Sequence, residues 1–127
     1  MKCVRVLEPT EFDAKVNDAL AQSESVFVLF FGREAPETNE SWCPDCVIAD
    51  PTVRKVVNTV PNSILLEVPV DRKTEVASPT NIFRTREDIK LGPIPTLLKW
   101  TKAGPGNRLV EEECFEEANI AKFVNSA

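Results

Sequence analysis

A run of six apolar residues, Val26–Phe31, constrains the fold of this chain more than any other segment. The run is continuously apolar and rich in β-branched and aromatic side chains, whereas a strand with one face in water alternates polar and apolar residues. It is also far shorter than the roughly 20 residues that a helix needs to cross a bilayer. We therefore expect a central strand of a sheet covered on both faces, and no membrane span.

Strand and helix patterns alternate along the rest of the chain. Apolar segments predict further strands at 4–7, 64–70, 96–100 and 108–110, the last two joined by a turn at 104–107. Helical spacing predicts helices from Thr10 (as N-cap) to 20, at 43–60 and at 113–125, with a short helix or crossover at 79–88. The order β-α-β-α-β-α-β-β-α predicts one α/β domain, residues 1–127, whose central mixed β-sheet is flanked by helices on both faces.

Composition and charge exclude some classes of function. Apolar residues make up 43% of the chain and charged residues 28%, which is typical of a globular protein. With 15 basic and 20 acidic residues the formal net charge is −5, so no basic surface is available for a nucleic-acid backbone. No apolar leader with a cleavage site follows Met1, so a reducing, cytoplasmic location is the default expectation, and we expect a monomer.

The segment Trp42-Cys43-Pro44-Asp45-Cys46 lies directly ahead of a predicted helix. Two cysteines separated by two residues can close a small disulfide ring, and in a reducing compartment such a pair is more often catalytic or metal-binding than structural. The positive end of the helix dipole favours a thiolate, the form that attacks disulfides. We therefore predict that Cys43 is an exposed nucleophile, and that Cys46, one turn inside the helix, is the resolving thiol.

The residues beside the two cysteines are expected to adjust their reactivity. Trp42 would cover one side of the site and offer an apolar contact to a substrate chain. Pro44 fixes φ in the first helical turn. The carboxylate of Asp45 suits the helix dipole, but its charge disfavours a second anion at Cys43. We predict a redox potential on the reducing side, roughly −200 to −270 mV.

A second candidate site element is the loop Gly92-Pro93-Ile94-Pro95-Thr96, which leads into a strand. Ile94-Pro95 is a candidate cis peptide bond, because an X-Pro pair at a tight strand entry tolerates that isomer. A cis Pro95 would expose backbone groups of Ile94, to which an extended substrate could pair as an added strand. We therefore place Ile94 and Pro95 with Trp42 in the predicted substrate-binding surface.

Three alternative interpretations remain open. The first is a zinc site, but the chain has no His, and such a site would need Cys3 and Cys114, which we expect to be partly buried free thiols, to converge on the motif. The second is an interaction module that binds a partner and turns nothing over. The third is a peroxide or S-nitrosothiol reductase that uses the same two thiols. We expect no bound cofactor beyond the redox-active Cys43–Cys46 pair.

These motifs resemble the thioredoxin superfamily over nearly the whole chain. The resemblance rests on the Trp-Cys-x-x-Cys helix start, Pro51 five residues after Cys46, and Ile94-Pro95-Thr96 before a strand. The segment 41–46, the polar insertion before it, 95–99, and 109–111 with Cys114 are most similar to the 14-kDa thioredoxin-related proteins, the Clot-type or thioredoxin domain-containing protein 17 family.

The resemblance implies a thioredoxin fold and a cytosolic thiol-disulfide oxidoreductase that reduces a restricted set of protein or small-molecule disulfides. It implies that thioredoxin reductase supplies the electrons. Thioredoxin itself has a buried Asp that assists proton transfer beneath the resolving Cys, but Val26–Phe31 contains none. We expect Asp45 to take part of that role. The loop 33–40, with three Glu and one Arg, is expected to form an acidic rim that narrows access for substrates.

Overall fold

The computed structural model describes residues 1–125, which build one five-stranded mixed sheet with the strand order β1-β3-β2-β4-β5. The strands are β1 (Lys2–Arg5), β2 (Val26–Gly32), β3 (Ile64–Val70), β4 (Thr96–Thr101) and β5 (Gly104–Val110). The helices are α1 (Phe12–Gln22), α2 (Pro44–Val57), α3 (Ile82–Thr85) and α4 (Glu117–Asn125). The predicted order of elements and the predicted mixed α/β sheet are confirmed.

The apolar strand β2 lies at the centre of the sheet, as predicted. It pairs with β3 in parallel and with β4 antiparallel, and all seven of its residues are buried. Its side chains point alternately to two covered faces: the Phe27 ring contacts Phe123 of α4, whereas Phe30 contacts Phe12 of α1 and Phe83 of α3. Because α2 packs against α4, these two helices cover the face of Phe27, whereas α1 and α3 cover the face of Phe30. Both faces of the sheet are thus covered by helices, as expected.

The first strand begins earlier than predicted, and the first α-helix begins later. β1 is Lys2–Arg5 rather than 4–7, because this is the stretch that pairs with Ile64–Glu67 of β3. A short 3-10 turn at Pro9–Glu11 precedes α1. The N-cap of the turn is Glu8 and the N-cap of α1 is Glu11, both without a side-chain cap hydrogen bond, so Thr10 is not an N-cap.

The C-terminal hairpin turns two residues earlier than predicted. Thr101 pairs with Gly104, which leaves residues 102–103 as the turn and places the Gly- and Pro-rich segment inside β5. β5 is an edge strand, where a Pro without an N–H is tolerated. The last helix is also shorter, because a 3-10 helix at Glu111–Cys114 precedes α4. No helix among residues 1–125 has the length and apolar character to span a membrane.

Candidate active site

The two cysteines of the motif lie at the start of α2. Cys43 is the N-cap, with an extended backbone, and its carbonyl oxygen accepts hydrogen bonds from the N–H groups of Cys46 (3.0 Å) and Val47 (3.2 Å). Pro44 occupies the first helical position, where no N–H donor is needed, and Asp45 lies in the first turn. The local geometry is therefore the dithiol at a helix start that the sequence predicts.

Both thiols are buried, which corrects the prediction that Cys43 is exposed. Cys43 retains 6% of its accessible surface and Cys46 none. Cys43 is covered because the loop before β4 packs against it, and its Sγ donates a hydrogen bond to the carbonyl oxygen of Ile94 at 3.7 Å. Cys43 is still the more accessible of the two thiols, which matches the order of exposure that we predicted.

The environment of Cys46 strongly favours its neutral thiol. Burial is the main reason why the pKa of Cys46 is raised, and a hydrogen bond with the Cys43 side chain and the charge of Asp50 act in the same direction. The N–H of Gly32 donates to Cys46 Sγ at 3.4 Å and partly offsets this effect. Cys46 is therefore a neutral thiol at neutral pH, and a nearby proton acceptor would favour its ionisation.

A groove of about 310 Å³ gives access to Cys43. It is lined by Trp42, Cys43, Lys73, Arg84, Leu91, Gly92, Pro93 and Ile94. The structure thus brings the predicted substrate-binding residues Trp42 and Ile94 to the same surface as Cys43. The Ile94-Pro95 peptide bond is cis, which confirms that prediction, and Pro95 is buried and is not part of the groove lining.

The basic side chains of this groove were not anticipated. Lys73 and Arg84 are among its lining residues, and the guanidinium of Arg72 stands 5.4 Å from the ring centroid of Trp42. The indole of Trp42 is held by a hydrogen bond of 3.0 Å from its Nε1 to the carbonyl oxygen of Val70. The surface beside Cys43 is therefore cationic and aromatic.

The polar loop before the motif folds back on itself. Glu34 and Ser41 form an isolated antiparallel bridge, and Ser41 Oγ accepts a hydrogen bond of 3.1 Å from the N–H of Cys43. Of the three Glu in this loop, Glu34 is ion-paired with Arg5 at 2.9 Å. The expected acidic rim is thus reduced to Glu37 and Glu40, which are exposed.

Gly32, at the end of β2, is a site residue that the sequence analysis missed. An added Cβ at this position would lie 2.6 Å from Ser41 Oγ, 2.8 Å from Cys43 Cβ and 3.0 Å from Trp42 Cε2. A side chain is excluded because the motif crosses directly over this backbone. A Gly between a strand and a Cys-x-x-Cys segment is the sequence signal that could have identified it.

Gly32→Ala is expected to displace the segment 41–43 and to destabilise the protein by about 1 to 3 kcal/mol, the usual cost of overpacking. Denaturant unfolding measures this cost, and alkylation of Cys43 reports the displacement. Gly92→Ala is the matched control, because an added Cβ at Gly92 meets no atom within 4 Å. Equal stability of the two variants would show that the contact at Gly32 is relieved without cost.

Asp50 is the second residue that the sequence analysis missed. Its side chain lies on α2 one helical turn after Cys46, is 6% exposed, and has an Oδ1 atom without a hydrogen-bond partner. The buried carboxylate beside Cys46 is therefore Asp50, and not Asp45, which is only half-buried.

The charges of four other side chains affect the pKa of Asp50. Burial is the largest effect and raises the pKa of Asp50 to about 7; Glu34 and Glu67 raise it further, whereas Arg54 and Arg5 lower it. These four side chains form ion pairs with one another, Arg5 with Glu34 and Arg54 with Glu67 at 2.6 Å. None of these ion pairs includes Asp50.

The other two cysteines, Cys3 and Cys114, differ in their burial. Cys3 is exposed on the edge strand β1, which corrects the expectation of partial burial, whereas Cys114 is fully buried. Burial raises the pKa of the Cys114 thiol to about 12. Within the described part of the chain, no group of three or more His, Cys, Asp or Glu side chains is placed to hold a metal ion.

Comparison with solved structures identifies the class of protein that this fold and site define. Reduced thioredoxin from Schistosoma mansoni matches with a TM-score of 0.66 at 14% sequence identity, covering 98% of this chain and 96% of that one. At this identity the likeness shows the fold alone, and the fold is that of thioredoxin, as predicted.

Comparison with sequences defines the family within that class. The family model described as "Thioredoxin domain-containing protein 17-like, thioredoxin domain" matches residues 5–126. Thioredoxin domain-containing protein 17 of Mus musculus is 34% identical over 118 residues, covering 92% of this chain and 89% of the relative. The thioredoxin-like protein Clot of Arabidopsis thaliana is 30% identical, covering 76% of this chain and 73% of the relative. The chain belongs to the thioredoxin domain-containing protein 17 family, and a thioredoxin-like redox role follows from that membership.

Proposed function

We propose that this protein is a thiol-disulfide oxidoreductase in which Cys43 attacks a substrate disulfide and Cys46 resolves the mixed disulfide. The observation that carries the proposal is the placement of the two thiols at the N-terminus of α2, with the more accessible one in the lining of a groove. The positive end of the α2 dipole at this position favours negative charge on sulfur.

The proposed reaction moves two electrons from the dithiol to the substrate. The Cys43 thiolate attacks one sulfur of the substrate disulfide and releases the other as a thiolate, which leaves Cys43 in a mixed disulfide. Cys46 then attacks Cys43 Sγ, forms the Cys43–Cys46 disulfide and releases the second substrate thiol. The protein is oxidised and the substrate reduced, and thioredoxin reductase is the proposed electron donor for the return to the dithiol.

Two features of the groove support a substrate class. The carbonyl oxygen of Ile94 lies 3.7 Å from Cys43 Sγ, at the place where an extended chain with a disulfide would run past the nucleophile. Lys73 and Arg84 line the same groove, so carboxylates near the substrate disulfide would meet positive charge. The proposed substrates are therefore disulfides with acidic neighbours, in the reducing cytosol.

The proposed function is tested by NADPH consumption with purified thioredoxin reductase and paired peptide disulfides, one with acidic and one with basic residues beside the cystine. We expect turnover of both, with a kcat/KM several-fold higher for the acidic peptide at low ionic strength and a smaller difference in salt. An absence of NADPH consumption with both peptides, together with peptide reduction by dithiothreitol that is no faster with the protein than without it, would refute the enzyme and favour an interaction module.

A further inference from the structure

We infer that Asp50 accepts the proton of the Cys46 thiol in the step that resolves the mixed disulfide. This inference rests on the proposed function, because it concerns the second of its two thiol steps. Strand β2 carries no acidic residue, and the buried carboxylate near Cys46 comes from α2 instead. The inference gives this carboxylate a role.

The position of Asp50 suits this transfer. Residues four apart on a helix are neighbours on one face, so the carboxylate of Asp50 lies beside the side chain of Cys46 on the buried side of α2. The negative charge of Asp50 contributes to the raised pKa of Cys46, after burial, so the two groups interact electrostatically. Oδ1 of Asp50 is buried without a hydrogen-bond partner, so it is an acceptor that is free to take a proton, although its burial is costly.

The resolving step needs such an acceptor. Only a thiolate attacks a disulfide, and burial holds Cys46 in its neutral form. The chain has no His that could serve as a base. Asp50 is the carboxylate whose charge acts on this thiol, so it is the acceptor that the site provides.

The charges around Asp50 set the pH range in which it can work. Burial, Glu34 and Glu67 oppose the carboxylate, whereas Arg54 and Arg5 favour it, and the pKa of Asp50 is about 7 as a result. Both its protonated and its ionised forms are therefore present near neutral pH, which is the condition for an effective general base and acid.

The proton balance of the step is complete. Asp50 carboxylate takes the proton from Cys46 Sγ, directly or through one water, and the Cys46 thiolate forms a bond to Cys43 Sγ as the bond from Cys43 to the substrate sulfur breaks. The substrate leaves as a thiolate and is protonated by solvent or by the Asp50 acid. No external oxidant is needed, because the mixed disulfide itself accepts the electron pair.

Stopped-flow reduction of 5,5′-dithiobis(2-nitrobenzoate) separates the two thiol steps, because each releases one coloured thiolate. The first release reports attack by Cys43 and the second reports attack by Cys46. The leaving group needs no proton at neutral pH, so the second phase reports ionisation of Cys46. All variants carry Cys3→Ser, since the exposed Cys3 would react as well.

In Asp50→Asn we expect a first phase within about twofold of the parent and a second phase at least about tenfold slower, without the inflection near pH 7 that the parent shows. Asp50→Glu should restore much of the rate and the inflection. Asp18→Asn, an exposed position on α1 on the opposite face of the sheet, is the matched control and should leave both phases unchanged.

Three outcomes would overturn the inference. A second phase in Asp50→Asn with the parent's rate and pH profile shows that Asp50 takes no proton. Equal slowing of both phases shows a purely structural contribution. A parent that releases no coloured thiolate refutes the proposed function itself, and with it this assignment; the two failures are therefore distinct.

Discussion

A Cys43→Ser variant is expected to lose disulfide reduction by at least about 100-fold, and a Cys46→Ser variant to lose turnover but accumulate a mixed disulfide between Cys43 and its substrate. The reason is the order of access: Cys43 lines the groove, whereas Cys46 is fully buried and does not line it. A serine hydroxyl at position 43 is not ionised near neutral pH and does not replace the thiolate.

Non-reducing electrophoresis and intact-mass spectrometry detect the trapped species, and NADPH-coupled turnover measures the loss. Cys3→Ser is the control variant, because this thiol is exposed on the edge strand β1 away from the groove lining. Trapping by Cys43→Ser instead of Cys46→Ser would reverse the two assigned steps. Full turnover by Cys43→Ser would refute the assigned redox role of the dithiol. An interaction module would show partner binding that is unchanged in both the Cys43→Ser and the Cys46→Ser variant.

Asp50→Asn is expected to make the reduced protein more stable at pH 8, by up to about 4 kcal/mol, and to have little effect at pH 3.5. The folded pKa of Asp50 is about 7, above the ordinary value of 3.8, because burial penalises the charge. The folded state therefore holds a proton more tightly than the unfolded state does. The wild-type protein loses stability as pH rises from about 4 to about 7, and no further loss comes from Asp50 above that range.

Denaturant unfolding at several pH values, with a reductant present, measures this difference. The chain has no His, so no imidazole titrates in the same range and the difference between wild type and Asp50→Asn isolates the carboxylate. Asp18→Asn again provides the exposed control. A difference between wild type and Asp50→Asn that stays constant from pH 4 to pH 8 would show that the pKa of Asp50 is the same in the folded and unfolded states, against the raised value expected here.

The elements that follow from local apolar patterns could be predicted from the sequence. β2 and β3 are found because their side chains are buried on both faces, and the start of α2 because a Cys-Pro pair at its first positions fits a helix N-terminus. The hairpin turn was misplaced because Gly104–Val110 has the composition of a turn but the position of an edge strand, where Gly and Pro do little harm.

The site required contacts between distant segments, which no local pattern contains. Cys43 is buried by Ile94, about fifty residues later, and Gly32 is constrained by the return of the chain at Ser41. Asp50 did have a signal: it follows Cys46 by four residues, which places a carboxylate on the apolar face of α2. That signal was missed because the other residues of this face are apolar and the helix was interpreted from them alone.

The position of Trp42 allows the site to be followed by intrinsic tryptophan fluorescence. The chain has two Trp, and Trp100 is packed against Phe12 in the core, whereas the side chain of Trp42 lines the groove together with Cys43. A change in the emission of this protein on oxidation therefore originates at Trp42, with Trp100 as a constant background. The molecule carries its own fluorescent indicator of its redox state, and no extrinsic dye has to be attached.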